Sequence, residues 1–129
     1  MMYIPKYFKI QEVVSPYVYN TVTNKDQLWW LFDDRLLKTA DMLRDKYGPI
    51  IINNWAQGLK YSGFREESST IGAKMSQHKH GRAFDLHPTK VTAEKMREDL
   101  LADPWAEEFQ YITCIEINVS WFHMDVRNW

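Results

Sequence analysis

The sequence lacks the features that define several large classes of protein. Its 129 residues include one cysteine, Cys114, so an intrachain disulfide is excluded and the fold does not depend on an oxidising compartment. No apolar run approaches the roughly 20 residues of a membrane-spanning helix, and residues 1–6 lack the apolar core of a signal peptide. The net charge is −1, and no basic block typical of nucleic-acid-binding proteins is present. We therefore expect a protein that is made in the cytoplasm, binds neither nucleic acid nor membrane, and acts elsewhere only if it is released or delivered.

Histidine is also scarce, and three of the four histidines lie in one short stretch, as His78, His80 and His87. The fourth, His123, lies near the C-terminus, and Asp85 stands within the histidine-rich stretch. Imidazole and carboxylate are the ligands that suit a catalytic zinc ion, which takes three protein ligands and keeps one position for water. We therefore predict that His78, Asp85 and His123 bind zinc, with His87 as the alternative ligand.

Polar and apolar residues alternate in two segments that carry these ligands. In residues 82–87 and 121–127 every second residue is apolar, which is typical of strands with one face in the core. Asp85 lies on the face that its apolar neighbours leave free, and His123 does so in the second segment. The alternation therefore predicts two strands that present Asp85 and His123 to a common polar site.

These residues also resemble a known zinc signature. The pattern Ser-x-His-x-x-Gly-x-Ala-x-Asp is met by Ser76, His78, Gly81, Ala83 and Asp85. It is similar to the signature of the D-alanyl-D-alanine metallopeptidases, which include D,D-carboxypeptidases, D,D-dipeptidases and phage L-alanoyl-D-glutamate endolysins. Two further elements match in order, namely the stretch 62–65 (Ser-Gly-Phe-Arg) and the stretch 121–123 (Trp-Phe-His). The resemblance covers roughly residues 48–127.

The resemblance implies a fold, a reaction and a substrate. It implies the fold shared with the hedgehog domain, and a zinc peptidase that hydrolyses D,D- or L,D-type bonds of peptidoglycan stem peptides, as phage lysis or virion-associated enzymes do. Arg65 is then expected to bind a substrate carboxylate, with Ser76 also at the substrate. His80 and Asp125 are expected to contact the ligand side chains and not the metal, and Asp125 would orient an imidazole. A zinc-binding but non-hydrolytic structural or interaction module of the same fold is the alternative.

The general base departs from the family pattern. Many members carry a glutamate three residues before the last histidine, and Ser120 occupies that position here. The nearest upstream carboxylate is Glu116, which we predict to be the base, with Asp125 as its rival. A plain surface carboxylate at Glu116 and an ordinary salt bridge at Arg65 are the non-functional alternatives. Cys114 is expected to be a small core residue.

The remaining sequence predicts one α+β domain, a small antiparallel sheet with helices packed on one side. Residues 1–47 form an N-terminal arm and a long helix, and residues 48–129 form the metal-site region. We expect the domain to be a monomer. The predicted helices, capped by Ser15, Asp26 and Thr92, are a short one after Ser15 and others at 26–47, 92–102 and 104–109. The predicted strands are 49–53, 82–87, 111–117 and 121–127, the last two joined by a tight hairpin, and 65–77 is predicted to be a loop.

Overall fold

The computed structural model describes residues 2–66 and 76–127. Its α-helices are α1 (Pro16–Asn20), α2 (Asp34–Tyr47) and α3 (Ala93–Ala102). Its strands are β1 (Ile50–Ile51), β2 (Ala83–Pro88), β3 (Cys114–Ile115) and β4 (Phe122–Asp125). Short 3-10 helices cover Ile10–Glu12, Lys25–Leu31, Trp55–Gln57 and Gln77–His80. Nine residues of the predicted loop, 67–75, lie outside the described residues.

The four strands form one antiparallel sheet in the order β1-β2-β4-β3. Helices α2 and α3 both contact β2, and α3 also contacts β4. The core lies between them and includes four fully buried side chains of the two central strands, Phe84, Leu86, Phe122 and Met124. The predicted α+β class with a small antiparallel sheet is therefore confirmed. Within the described ranges, no helix is long and apolar enough to cross a bilayer.

The predicted helix at 26–47 is two helices with a break between them. Residues Lys25–Leu31 form a 3-10 helix, Phe32 is extended, and α2 begins after Asp33. The cap predicted at Asp26 was wrong, because Asp33 accepts the amide of Arg35 and caps α2. The backbone amide of Asp33 donates to the carbonyl of Gly81 at 2.9 Å. This hydrogen bond therefore connects the break between the two helices to the loop that carries His78.

Three other predictions were wrong, and they concern the helix at 104–109, the lengths of the outer strands and the hairpin between the last two strands. Residues 104–109 form turns rather than a helix, and the outer strands β1 and β3 have two residues each. The pairing of β3 with β4 is antiparallel as predicted, with Ile115 opposite Met124. Their connection is six residues long, however, and not a tight hairpin. The buried Arg97 of α3 fixes this connection by donating to the carbonyls of Val119 and Trp121, each at 2.9 Å.

The helix boundaries predicted from capping residues are confirmed for α1 and α3. Ser15 accepts the amide of Val18 and is followed by Pro16 at the first helical position. Thr92 accepts the amide of Lys95 and begins α3, which ends at Ala102 as predicted. Both caps act within three residues of sequence, which is why the sequence alone predicts them.

Candidate metal centre

The two central strands place the aspartate and the last histidine of the predicted triad side by side. Asp85 on β2 is the direct register partner of His123 on β4. Residues opposite each other on antiparallel strands point to the same face of the sheet. Because their apolar neighbours fill the core on the other face, Asp85 and His123 share the face that the helices do not cover.

His78 reaches this face from the 3-10 helix Gln77–His80. Ser76 caps that helix by accepting the amide of His78 at 3.2 Å. Gly81 ends it with φ 65°, a left-handed conformation that favours glycine. A Cβ at Gly81 would lie 1.7 Å from the carbonyl oxygen of Leu31. Glycine is therefore required here on two grounds, backbone conformation and space.

The hydrogen bonds of His78 assign its ring nitrogens. Nδ1 lies 2.9 Å from the carbonyl oxygen of Gly63. Since a carbonyl only accepts, Nδ1 donates to it, and Nε2 is the ring nitrogen left to face the site. Nε2 lies 3.4 Å from Oδ1 of Asp85. His78 is 2% exposed, so this nitrogen is directed at the site and not at solvent.

His123 lies between two carboxylates. Its Nδ1 is 2.7 Å from Oδ1 of Asp85, and its Nε2 is 3.1 Å from Oδ2 of Asp125. Burial acts to lower the pKa of His123, but the hydrogen bonds to Asp125 and Asp85 outweigh it and raise the pKa to about 9. Without a metal, both ring nitrogens therefore donate, and the imidazole is charged at neutral pH.

Asp125 is fully buried and accepts a hydrogen bond from Nε2 of His123. Arg127 donates to both of its oxygens, at 2.8 Å from Nε and 2.7 Å from Nη2. Burial acts to raise the pKa of Asp125, but the hydrogen bonds from His123 and Arg127 lower it to about 2. Asp125 is therefore an ionised acceptor that fixes Nε2–H of His123 and leaves Nδ1 for the site.

The three predicted ligands form a donor set that fits a metal ion. One ligand atom from each of His78, Asp85 and His123 lies within 4.8 Å of the others, and all three residues are buried. Burial acts to raise the pKa of Asp85, but hydrogen bonds from His123 and His78 hold it well below its ordinary value, so the carboxylate is ionised. Two imidazoles and one carboxylate are typical ligands of a catalytic metal. We call these three residues the metal-binding group, because together they could hold a metal ion; binding itself, and zinc as the metal, stay predictions.

Comparisons with protein-family models, curated proteins and solved structures found no match for this chain. The resemblance to the D-alanyl-D-alanine metallopeptidases therefore stays a prediction. A reaction has to be inferred from the residues of the site and their geometry.

Glu116 lies at the edge of the metal-binding group. Its Oε1 is 3.0 Å from Nδ1 of His123, and its side chain is 52% exposed. It does not join the three atoms that lie within 4.8 Å of one another. Glu116 lines an open cavity of about 430 Å³ that also contains the three ligands. A solvent-accessible carboxylate beside the ligands, but outside their set, meets the positional requirement for a general base.

Arg65 is tied to the protein at three points. Nε donates to the carbonyl of Tyr61 at 2.8 Å, Nη1 to the hydroxyl of Ser76 at 3.4 Å, and Nη2 to Oδ2 of Asp85 at 3.3 Å. The salt bridge left open by the sequence is therefore present, and its partner is the predicted ligand Asp85. Arg65 and Ser76 both line the cavity. Binding of substrate by these two residues stays a prediction.

The other residues singled out from the sequence lie further from the ligands. His80 is exposed and does not line the cavity. His87 is not in the metal-binding group, because its Nε2 pairs with the hydroxyl of Ser62 at 2.9 Å. Cys114 is half-buried and lines the cavity instead of the core, so the expectation of a core residue was wrong.

Sequence reasoning missed the partner of Asp125 and two polar groups of the cavity. Arg127 follows Asp125 by two residues, so strand alternation places both on one face and could have predicted the pair. Gln77 and Trp121 also line the cavity, and Oε1 of Gln77 and Nε1 of Trp121 are buried without a hydrogen-bond partner. The stretch 121–123 includes Trp121, but no sequence pattern predicts that its Nε1, or the amide oxygen of Gln77, would be buried without a partner.

Proposed function

We propose that this protein is a zinc-dependent peptidase that hydrolyses peptidoglycan stem peptides, at a D,D- or L,D-type bond. The observation that carries the proposal is the position of Glu116, whose carboxylate reaches the cavity beside the buried ligands His78, Asp85 and His123. The zinc signature supports the metal and the substrate class. The same resemblance supports the hedgehog-type peptidase fold and a role in phage lysis or in a virion.

Each ligand is prepared by its hydrogen bonds to bind a cation. His78 offers Nε2 because its Nδ1 donates to the carbonyl of Gly63, and His123 offers Nδ1 because its Nε2 donates to Asp125. Asp85 supplies the negative charge. When bound, zinc supplies a water of lowered pKa and a Lewis acid for the carbonyl that is attacked.

Glu116 performs the proton transfers in this mechanism. Its carboxylate removes a proton from the attacking water and later delivers that proton to the leaving amine nitrogen. The half-exposed position of Glu116 allows contact with a substrate in the open cavity. Arg65, which already pairs with Asp85, has N–H groups at the cavity that can also meet a substrate carboxylate.

Substitution of Glu116 by glutamine tests the proposal. Glu116→Gln keeps the shape of the side chain and removes the proton acceptor, so zinc content and melting temperature should stay at wild-type values. Turnover of a muropeptide, followed by mass spectrometry, should fall at least ~100-fold, since general base catalysis contributes about 10²–10⁴-fold. Glu98→Gln, at an exposed glutamate of α3, is the matched control and should leave turnover unchanged.

The competing assignments give different results in the same assay. If Asp125→Asn abolishes turnover of zinc-loaded protein and Glu116→Gln does not, Asp125 is the base. Asp125 is fully buried and already paired with Arg127 and His123, which favours the orienting role. A wild-type protein that binds zinc but cleaves no wall peptide would support the non-hydrolytic module.

A further inference from the structure

A second cavity adjoins the metal-binding cavity and has no role in the mechanism above. It has a volume of about 370 Å³, and we call it the lateral hollow. Its walls include Leu59, Lys60, Tyr61, Ser62 and His87. Arg65, Asp85 and Trp121 line both cavities, so the two spaces meet along these residues. A peptide bound at the metal-binding group can therefore extend a neighbouring side chain into the lateral hollow.

The outer wall of the lateral hollow is held by its own backbone. Asn54 and Leu59 exchange two backbone hydrogen bonds, at 2.9 and 3.0 Å. The amide of Ser62 donates to Oδ1 of the buried Asn53 at 2.9 Å. Lys60 lies between these two fixed points. Its backbone is therefore positioned before any ligand binds, which limits the entropy lost on binding.

Three titratable side chains of the hollow already have partners inside the protein, namely Arg65, Asp85 and His87. Arg65 donates to Asp85 and to two further groups, and His87 is paired with Ser62. Lys60 is exposed, and no carboxylate of the described residues pairs with it. An uncompensated ammonium at the rim of a mainly apolar space favours a ligand with an apolar stem and a terminal negative charge.

We propose that the lateral hollow is the subsite for an acidic side chain of the substrate, and that Lys60 binds its carboxylate. The methylenes of a glutamyl-type side chain would pack against Leu59, Tyr61 and Trp121, while the carboxylate meets the ammonium group. This subsite rests on the proposed function, because it takes the metal-binding cavity to be where a peptide lies. It makes Lys60 a specificity-determining residue.

Two stem peptides that differ in one group test the subsite. In one the glutamyl carboxylate is free, and in the other it is amidated. Wild-type protein loaded with zinc should prefer the free carboxylate by about fivefold in kcat/KM, the upper end for a pair with an exposed lysine. Lys60→Gln should reduce the preference to less than about twofold, and Lys60→Glu should reverse it. Lys90→Gln, at an exposed lysine that lines neither cavity, should keep the wild-type preference.

Direct binding separates this subsite from the peptidase activity. The dissociation constants of both peptides are measured by calorimetry on zinc-loaded Glu116→Gln protein, with and without Lys60→Gln. A carboxylate preference that depends on Lys60, together with a zinc-loaded wild-type protein that hydrolyses neither peptide, retains the subsite and rejects the peptidase. Hydrolysis of both peptides at equal kcat/KM retains the peptidase and rejects the subsite. An unchanged preference in Lys60→Gln, or no binding of either peptide, also overturns the subsite.

Discussion

Metal binding at this site should compete with a proton on His123. Both ring nitrogens of His123 face carboxylates, and its pKa is raised to about 9. A metal ion needs the lone pair of Nδ1, so binding must displace the proton from that nitrogen. The perturbation is therefore a change of pH alone, between 7 and 9, on otherwise unmodified protein.

The loss of apparent metal affinity depends on the difference between the pKa of His123 and the pH. With a pKa of about 9, the protein at pH 7 is protonated about 100 to 1, so its apparent metal affinity is about 100-fold below the value at high pH. Each pH unit below 9 should therefore cost about tenfold in affinity. An unperturbed imidazole with a pKa of 6.5 would give almost no dependence across this range.

Competition with a chelator of known protonation, across this pH range, measures the apparent zinc affinity. Calorimetry at pH 7 in two buffers of different ionisation enthalpy should also report release of about one proton for each metal bound. Asp125→Asn removes one of the carboxylates that raise the pKa of His123, so the pH dependence should move to lower pH. The affinity at high pH, where no proton competes, should fall about 10–100-fold. Asp26→Asn, at an exposed aspartate, is the control. An affinity that changes less than threefold between pH 7 and 8.5 would refute the charged state of His123.

Two further substitutions test the packing at Gly81 and the role of Arg65 in binding substrate. Gly81→Ala should lower the free energy of unfolding by more than about 2 kcal/mol, because φ is 65° and a Cβ would lie 1.7 Å from the Leu31 carbonyl oxygen. Denaturant unfolding measures this loss, and Gly58→Ala is the control. A Cβ at Gly58 would meet nothing within 4 Å although its φ is also positive, so the difference between the two variants isolates the steric part. Arg65→Lys should fold and keep its zinc but lose turnover on a stem peptide, because a point charge cannot replace the guanidinium fork that contacts Asp85 and the cavity. Wild-type kinetics in Arg65→Lys would mean that Arg65 does not bind substrate.

The metal-binding group was predictable because its ligands follow local rules. Strand alternation assigns a face to each residue independently of its partner strand, so Asp85 and His123 could be placed on free faces from sequence alone. His78 is positioned by a 3-10 helix that begins after Ser76 and ends at Gly81, and the signature contains both of these residues. The partner of Arg65 was not predictable, because Asp85 is 20 residues away and the contact depends on the tertiary fold.

The break in the long predicted helix shows where periodicity fails. The apolar stripe continues at intervals of four residues through Leu28, Phe32 and Leu36, all of which are buried, so the sequence indicates one uninterrupted helix. What interrupts it is the hydrogen bond from the amide of Asp33 to the carbonyl of Gly81, about a third of the chain length away. The outer strands were predicted too long for a similar reason. A run of β-branched and aromatic residues favours an extended chain, but only a neighbouring strand determines how much of it is paired.

The two glycines of the signature loops also decide how the domain can be divided. Gly63 lies so close to Val13 that a Cβ would be 2.1 Å from its carbonyl oxygen, and Phe64 donates to that same oxygen at 2.7 Å. Gly81 is packed in the same way against the carbonyl of Leu31. The loops that carry Arg65 and His78 therefore pack directly against backbone from the first third of the chain, and their conformation depends on it. A fragment that begins at residue 48 would contain every proposed ligand but would lack the backbone that positions their loops. An engineered fusion or chimera therefore has to include the N-terminal segment together with residues 48–129.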